Sequence, residues 1–302
     1  MTTIGATPAT RQLMVHRAAA YLALTKPRII ELLLVTTVPT MVVAARGLPR
    51  LDLVVATLVG GSLAAGGANA INMYVARDID AIMHRTAKRP LVTGEMTPRA
   101  ALTFAVGLEL AAFAELWLAV NLLSAVLAVS ATLFYVFVYT LWLKRTSRQN
   151  IVIGGAAGAV PVLVGWAAVR GSLSLAPLVL FAVIFVWTPP HFWALAIKYR
   201  DDYAAAEVPM LPAVASLATT ARQILIYTVV LWATSLAFGD VGGMGAIYWV
   251  SAMVLGAVFC AHAVRLYRDR TPLQAMRLFT YSISYVTLLF SAMAVDQLVH
   301  HV

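Results

Sequence analysis

Leu175 to Asp202 reads LAPLVLFAVIFVWTPPHFWALAIKYRDD. From Leu175 to Ile197 only Thr188 and His191 interrupt the apolar side chains, apart from three prolines and two tryptophans that a membrane helix accepts. A helix needs about 20 mostly apolar residues to cross the hydrocarbon core of a bilayer. This run is long enough, and it stops on Lys198-Tyr199-Arg200-Asp201-Asp202, charges that belong in water.

Outward from this span, eight more runs have the same character: Ile29–Ala45, Leu53–Tyr74, Ala100–Val120, Leu122–Leu143, Ile151–Val169, Ile224–Phe238, Met244–Val264 and Leu278–Val299. The 302 residues are 61% hydrophobic and 12% charged, with a mean hydropathy of +0.84. That leaves too little polar sequence to coat a soluble protein of this size. The sequence predicts an all-α, polytopic membrane protein of nine spans. Its single cysteine, Cys260, excludes an intrachain disulfide.

Loop charge sets the orientation. With the N-terminus in the cytoplasm, nineteen of the 22 Lys and Arg residues fall inside, and only Arg46, Arg50 and Arg170 outside. Cytoplasmic loops collect basic residues in this way, so the net charge of +9 does not call for nucleic acid. Residues 1–27 read as a cytoplasmic tail, with no persuasive signal-cleavage site. Residues 28–302 read as one transmembrane domain, with His300-His301 on the outer side.

Two inner loops mix acids with bases. The first holds Asn72, Arg77, Asp78, Asp80, Arg85, Lys88 and Arg89; the second holds Lys198, Arg200, Asp201, Asp202 and Tyr203. Asn72 and Asp80, eight residues apart, fall within about 80° on a helix. Oxygen ligands so placed suit Mg²⁺, which takes its remaining ligands from water and phosphate, and nearby Arg and Lys suit diphosphate oxygens. The bland alternative is two charge-balanced membrane-edge loops. The loops lie four spans apart, which hints at two four-helix halves and a ninth helix. In the sixth span, His191 follows Pro189-Pro190; it either serves a site or satisfies a carbonyl that the prolines free. Glu109 and Glu115, six residues apart and not on one face, read as structural. Trp166, Trp187, Trp193, Tyr135 and Tyr139 read as packing or interface anchors, some of which would line an apolar pocket.

Taken in order, four groups of residues resemble the UbiA superfamily of intramembrane prenyltransferases. They are Asn72 to Leu91 with Arg85-Thr86 and Arg89-Pro90-Leu91; Asn150 to Ala159 with Gly165-Trp166; Trp187-Thr188-Pro189-Pro190-His191-Phe192-Trp193; and Asp202-Tyr203 with Val208-Pro209-Met210-Leu211-Pro212. Lys26-Pro27-Arg28 also fits. The run at His191 is similar to the branch of the superfamily that farnesylates haem.

The resemblance implies a bundle around a central cavity that opens toward the cytoplasm and the lipid. It implies farnesyl diphosphate and haem B as substrates, haem being substrate rather than cofactor, with a divalent metal such as Mg²⁺ and a haem A synthase as a candidate partner. It implies metal ligation by Asn72, Asp78, Asp80, Asp201 and Asp202, with Asn72, Asp80, Asp202 and Arg77 in the reaction. Arg85, Lys88, Arg89, Lys144, Arg145, Asn150, Lys198, Arg200, Tyr203 and His191 are then candidates to hold substrate. One position departs from the pattern. Ala76 stands where the superfamily places an acid between Asn72 and Asp80, which leaves a water, or Asp78 after local unwinding, to fill the gap. The alternatives are a quinone or other aromatic acceptor, against which the His191 run argues, and a secondary transporter. Transporters place ionisable residues near the membrane midplane, whereas the acids here cluster at the inner edge.

Overall fold

The computed structural model describes the backbone of residues 8–300 and the side chains of residues 17–27, 30 and 35–299. His301, Val302 and the side chains of Arg11, Arg28 and His300, on which part of the topology expectation rests, lie outside the described residues. Among the described residues, twelve helices of six residues or more organise the chain: α1 (Pro8–Thr25), α2 (Pro27–Ala45), α3 (Leu51–Val75), α4 (Arg77–Ile82), α5 (Pro98–Val120), α6 (Leu122–Thr146), α7 (Asn150–Arg170), α8 (Leu175–Lys198), α9 (Arg200–Ala205), α10 (Leu217–Val241), α11 (Ala246–Asp269) and α12 (Pro272–His300). There is no strand among the described residues. Eight of these helices are long and apolar enough to cross a membrane, and α2 adds a shorter apolar stretch, Val35–Ala45. The chain is thus an all-α, multi-pass membrane protein whose spans follow the nine apolar runs of the sequence.

Local chemistry sets the boundaries. Pro27, Pro98 and Pro272 open α2, α5 and α12, where the missing N–H is one that a first helical turn leaves unpaired anyway. Between α5 and α6 the turn is a single extended residue, Asn121. Its Oδ1 caps Ser124 N at 2.8 Å, and its Nδ2 donates to Ala167 O on α7 at 2.8 Å, which pins the hairpin to its neighbour. Asp296 of α12 caps α11 from outside the helix by accepting the N–H of Gly245 and of Tyr248.

The core is uneven. On one side, α7, α8, α10, α11 and α12 share one continuous cluster that includes Trp193, Tyr248, Phe259, Tyr285 and Phe290. On the other side, α3 meets α1 and α5 through Ala20, Leu24, Ala70, Met73, Ala101 and Ala105. A second small cluster, mostly alanine, joins α3, α5 and α6 to Val164 of α7. The last turns of α1, within the segment read as a tail, therefore pack on the bundle. Between the two sides lies a cavity.

Candidate active site

The cavity has a volume of about 700 Å³ and is bounded by α2, α3, α6, α7 and α8. One end is polar and cationic, because the chain brings helix ends there: Lys26 just before α2, Asn72 near the end of α3, Asp80 in α4, Arg85 and Arg89 beyond it, Lys144 near the end of α6, Asn150 at the start of α7 and Tyr203 in α9. Deeper, the walls turn to small and apolar residues such as Gly61, Ala65, Val160 and Val164.

At the polar end Asp80 is 2% exposed and accepts Nη1 of Arg89. Thr86 Oγ1 donates to the Asp80 carbonyl at 2.8 Å and holds the following loop against α4. Asn72 uses both ends of its amide: Nδ2 donates to Thr140 Oγ1 at 2.9 Å, and Oδ1 accepts Lys26 Nζ at 3.3 Å. Lys26 itself has left-handed backbone geometry, φ 52°, forced where α1 stops and Pro27 starts α2. Loss of solvent, then the charges of Arg89 and Lys144, brings the Lys26 ammonium down to a pKa of about 7. Both polar side-chain atoms of Asn150 are buried without a partner while the residue lines the cavity. An amide left open at a cavity wall offers its donor and acceptor to a ligand or to water.

The second loop joins the first at this mouth. Asp202 is half-buried and accepts the backbone N–H of Arg85 at 3.2 Å. Ile79, Met83, Tyr203, Ala206 and Val208 form one apolar contact between the loops. Burial raises the Tyr203 phenol, and Arg85 beside it works in the opposite direction. Arg85 also stands 5.6 Å above the ring of Tyr199.

Other predicted residues stay outside the cavity lining. Asp78 is held by Arg145 through two hydrogen bonds of 2.8 Å, which keep its carboxyl down at about 2. Its carboxylate is thereby engaged away from Asn72 and Asp80, and α4 does not unwind to bring it in. Arg77 Nη1 donates to Tyr74 O at 2.7 Å. Lys88, Lys198, Arg200 and Asp201 are exposed. His191 is buried against α12: Nδ1 meets Ser282 Oγ at 2.7 Å, and the ring stacks on Trp187 at 4.2 Å. Its neighbours Trp187, Thr188 and Phe192 face the cavity instead.

Two features carried little signal in the sequence. Lys26 stood out only as part of a short pattern before the first span. Tyr135 and Tyr139 line the cavity as a stacked pair, 5.3 Å apart and 12° from parallel. The residues from Phe134 to Leu143 wind as a π-helix, with Thr140 Oγ1 bonded five residues back to Tyr135 O at 2.7 Å. That local widening turns both tyrosines to one side, and π-helical turns are frequent at functional sites.

Among the described residues no three His, Cys, Asp or Glu side chains form a metal-holding group. The donors at the cavity end are one carboxylate, Asp80, and two amides, Asn72 and Asn150, the latter with its Oδ1 unsatisfied. Few protein oxygens beside several cations fit Mg²⁺ that arrives with a diphosphate and keeps phosphate and water ligands.

Known proteins match this chain along nearly its whole length. The UbiA prenyltransferase family matches residues 33–290. A protoheme IX farnesyltransferase from Clavibacter michiganensis is 52% identical over 286 residues, 94% of each chain. One from Paenarthrobacter aurescens is 51% identical and covers 99% of this chain and 95% of its own. One from Frankia alni is 54% identical over 93% of this chain and 98% of its own. Among solved structures, a digeranylgeranylglyceryl phosphate synthase superposes with a TM-score of 0.77 at 15% identity, over 93% of this chain and 99% of that one. A UbiA homologue from Archaeoglobus fulgidus bound to GPP and Mg²⁺ superposes with a TM-score of 0.65 at 15% identity, over 91% and 99%. The apolar spans, the cavity with its cationic end and these matches agree: the chain belongs to the UbiA prenyltransferase family.

Proposed function

We propose that this prenyltransferase moves the farnesyl group of farnesyl diphosphate onto a vinyl group of haem B, giving haem O and diphosphate. One observation carries the reading. A cavity with Lys26, Arg85, Arg89 and Lys144 at one end and an apolar, aromatic chamber beyond sits in a chain about half identical to proteins named for this reaction.

The diphosphate binds at the cationic end. Lys26, Arg85, Arg89 and Lys144 take up the charge that develops as the C1–O bond breaks, which is electrostatic stabilisation of a leaving anion. Mg²⁺, when bound by Asp80 and the amide oxygens of Asn72 and Asn150, adds Lewis-acid neutralisation of that anion. Asp202 acts one step back by holding the Arg85 backbone. Asp78 and Asp201 take no part in this scheme. Beneath the rim, the faces of Tyr135 and Tyr139 favour a nearby allylic cation, and the apolar walls keep bulk water from quenching it. His191 fixes α8 to α12, so that Trp187 and Phe192 shape the acceptor side.

In this reading residues 28–302 form one catalytic domain. The charged end faces the cytoplasm of a bacterial cell membrane, and haem O passes on to a haem A synthase. The test is direct: purified protein in lipid nanodiscs is supplied with farnesyl diphosphate, haem B and Mg²⁺, and the extracted pigment is weighed by mass spectrometry. Haem O is expected. Unchanged haem B beside a prenylated quinone precursor, offered in a parallel reaction, would replace the acceptor in this reading.

A further inference from the structure

Glu109 is an ionisable side chain inside a spanning helix, α5, and the scheme above gives it no task. Its Oε1 accepts a hydrogen bond from Thr132 Oγ1 of α6 at 3.2 Å. Thr132 is 7% exposed and lines the cavity. The opposite wall of this seat is Gly67 of α3: a Cβ there would stand 2.6 Å from Glu109 Oε1 and 2.9 Å from its Cγ. Only glycine leaves the carboxyl room to reach Thr132. Ala68, the next residue, lines the cavity as well. Among the described residues no cation pairs with Glu109. A carboxyl in hydrocarbon is costly and is ordinarily kept for use.

Its depth matches a step of the reaction. Thr132 lies three residues before Tyr135, so about one helical turn deeper than the ring that the scheme above sets beside the allylic cation, where the acceptor's vinyl group meets C1 of the farnesyl chain. As the C1–O bond breaks, diphosphate keeps the electron pair, and the terminal vinyl carbon forms the new C–C bond. Positive charge then rests on the vinyl carbon attached to the macrocycle. Water adds its oxygen to that carbon, and the resulting oxonium must lose a proton to become the hydroxyethyl group.

We propose that Thr132 and Glu109 form the relay that takes this proton: the Thr132 hydroxyl accepts it from the added water and passes its own to the Glu109 carboxylate. The inference rests on haem farnesylation as the reaction. When product leaves, the carboxyl returns the proton to water through the same hydroxyl. Thr132 is the residue at the reacting atoms, and Glu109 acts through it.

Glu109→Gln keeps the shape and removes the base; Thr132→Val keeps the wall and removes the hydroxyl. In both, haem O formation should fall on the order of 10²-fold, the lower range for general acid–base groups. The slower water capture should also raise the fraction of farnesylated haem that is lighter by one water, formed when the cation loses a carbon-bound proton instead. Mass spectrometry of the extracted pigment reads both, with the folded fraction measured by size-exclusion chromatography. Glu109→Asp, which keeps a carboxylate, should recover part of the rate and the parent product ratio. A lowered yield with the parent ratio in both Glu109→Gln and Thr132→Val means a packing role and overturns the relay while haem farnesylation stands. Parent rate and ratio overturn it equally. If the parent protein farnesylates no haem, both readings fall.

Discussion

Arg89 donates through Nη1 to Oδ2 of Asp80, a carboxylate with 2% of its side chain exposed. A charge so deeply placed is stable only while its partner or a metal holds it; removing one member of such a pair costs about 3–5 kcal/mol. Asp80→Ala is therefore expected to abolish farnesyl transfer and to lower the unfolding temperature of the detergent-solubilised protein. Asp202→Ala, which frees the Arg85 backbone, should cut transfer without that loss of stability. Asp201→Ala, at an exposed site, should behave as the parent. Haem O formation at fixed folded protein checks all three, and an Asp201→Ala defect equal to that of Asp80→Ala would dissolve the distinction.

Lys26 gives the binding of diphosphate a pH dependence. Its folded-state pKa is depressed to about 7, from burial first and then from Arg89 and Lys144. Below that value the ammonium is already present. Above it, much of the free protein holds a neutral amine, and an arriving diphosphate must draw in a proton to be paired. Affinity for farnesyl diphosphate is thus expected to decline as pH rises above about 7, with proton uptake visible in calorimetry across buffers of different ionisation enthalpy. Lys26→Gln should weaken binding at neutral pH and flatten the profile.

Ala76 offers a gain-of-function test. The bonds Ala76 N to Asn72 O and Asp80 N to Ala76 O, each 2.9 Å, carry the helical repeat across the joint between α3 and α4. Residues 72, 76 and 80 therefore share a face, and the middle one is a fully buried methyl group. Ala76→Asp is expected to shift the Mg²⁺ dependence of haem O formation to lower concentration, and without metal to be neutral or slightly destabilising because it adds a charge beside Asp80. Coincident curves would place position 76 off the metal.

Gly154→Ala probes the tyrosine pair. A Cβ at Gly154 would collide with the ring of Tyr139, which is partly buried where α6 faces α7. The substitution should cost roughly 1–3 kcal/mol, the range for overpacking. It should also raise the KM for farnesyl diphosphate by displacing the stacked ring. An unaltered KM would exclude Tyr139 from the prenyl site.

Orientation is tested by fusion. A reporter active only in the cytoplasm should work when joined before Met1 and be silent after Val302. Activity at both ends would mean an even number of spans.

Much of this was legible because membranes impose simple rules. The apolar runs located the spans: Leu175–Ile197 became Leu175–Lys198, while α10, α11 and α12 grew by several residues at an end, where amphipathic turns continue helices beyond the hydrocarbon. Asn72, Asp80, Arg85, Arg89, Lys144, Asn150 and Tyr203, singled out in the sequence, line the cavity. Asp78 does not, because Arg145, 67 residues away in sequence, takes its carboxylate, and no local spacing reveals such a partner. The same holds for His191, whose partner Ser282 is 91 residues away. Lys26 was obscured because its importance comes from a left-handed turn that aims it at Asn72.

The lopsided core has a mechanical consequence. Beside the cavity, the aromatic cluster of α8 and α10–α12 works as an anvil, and the alanine-lined seams of α3, α5 and α6 work as a spring. Sparse contacts open at lower free energy than dense ones. On the proposed function, a flat, rigid macrocycle would be admitted by outward give of the alanine side, while the wall carrying Trp187 would keep its shape and set the angle at which the guest comes to rest.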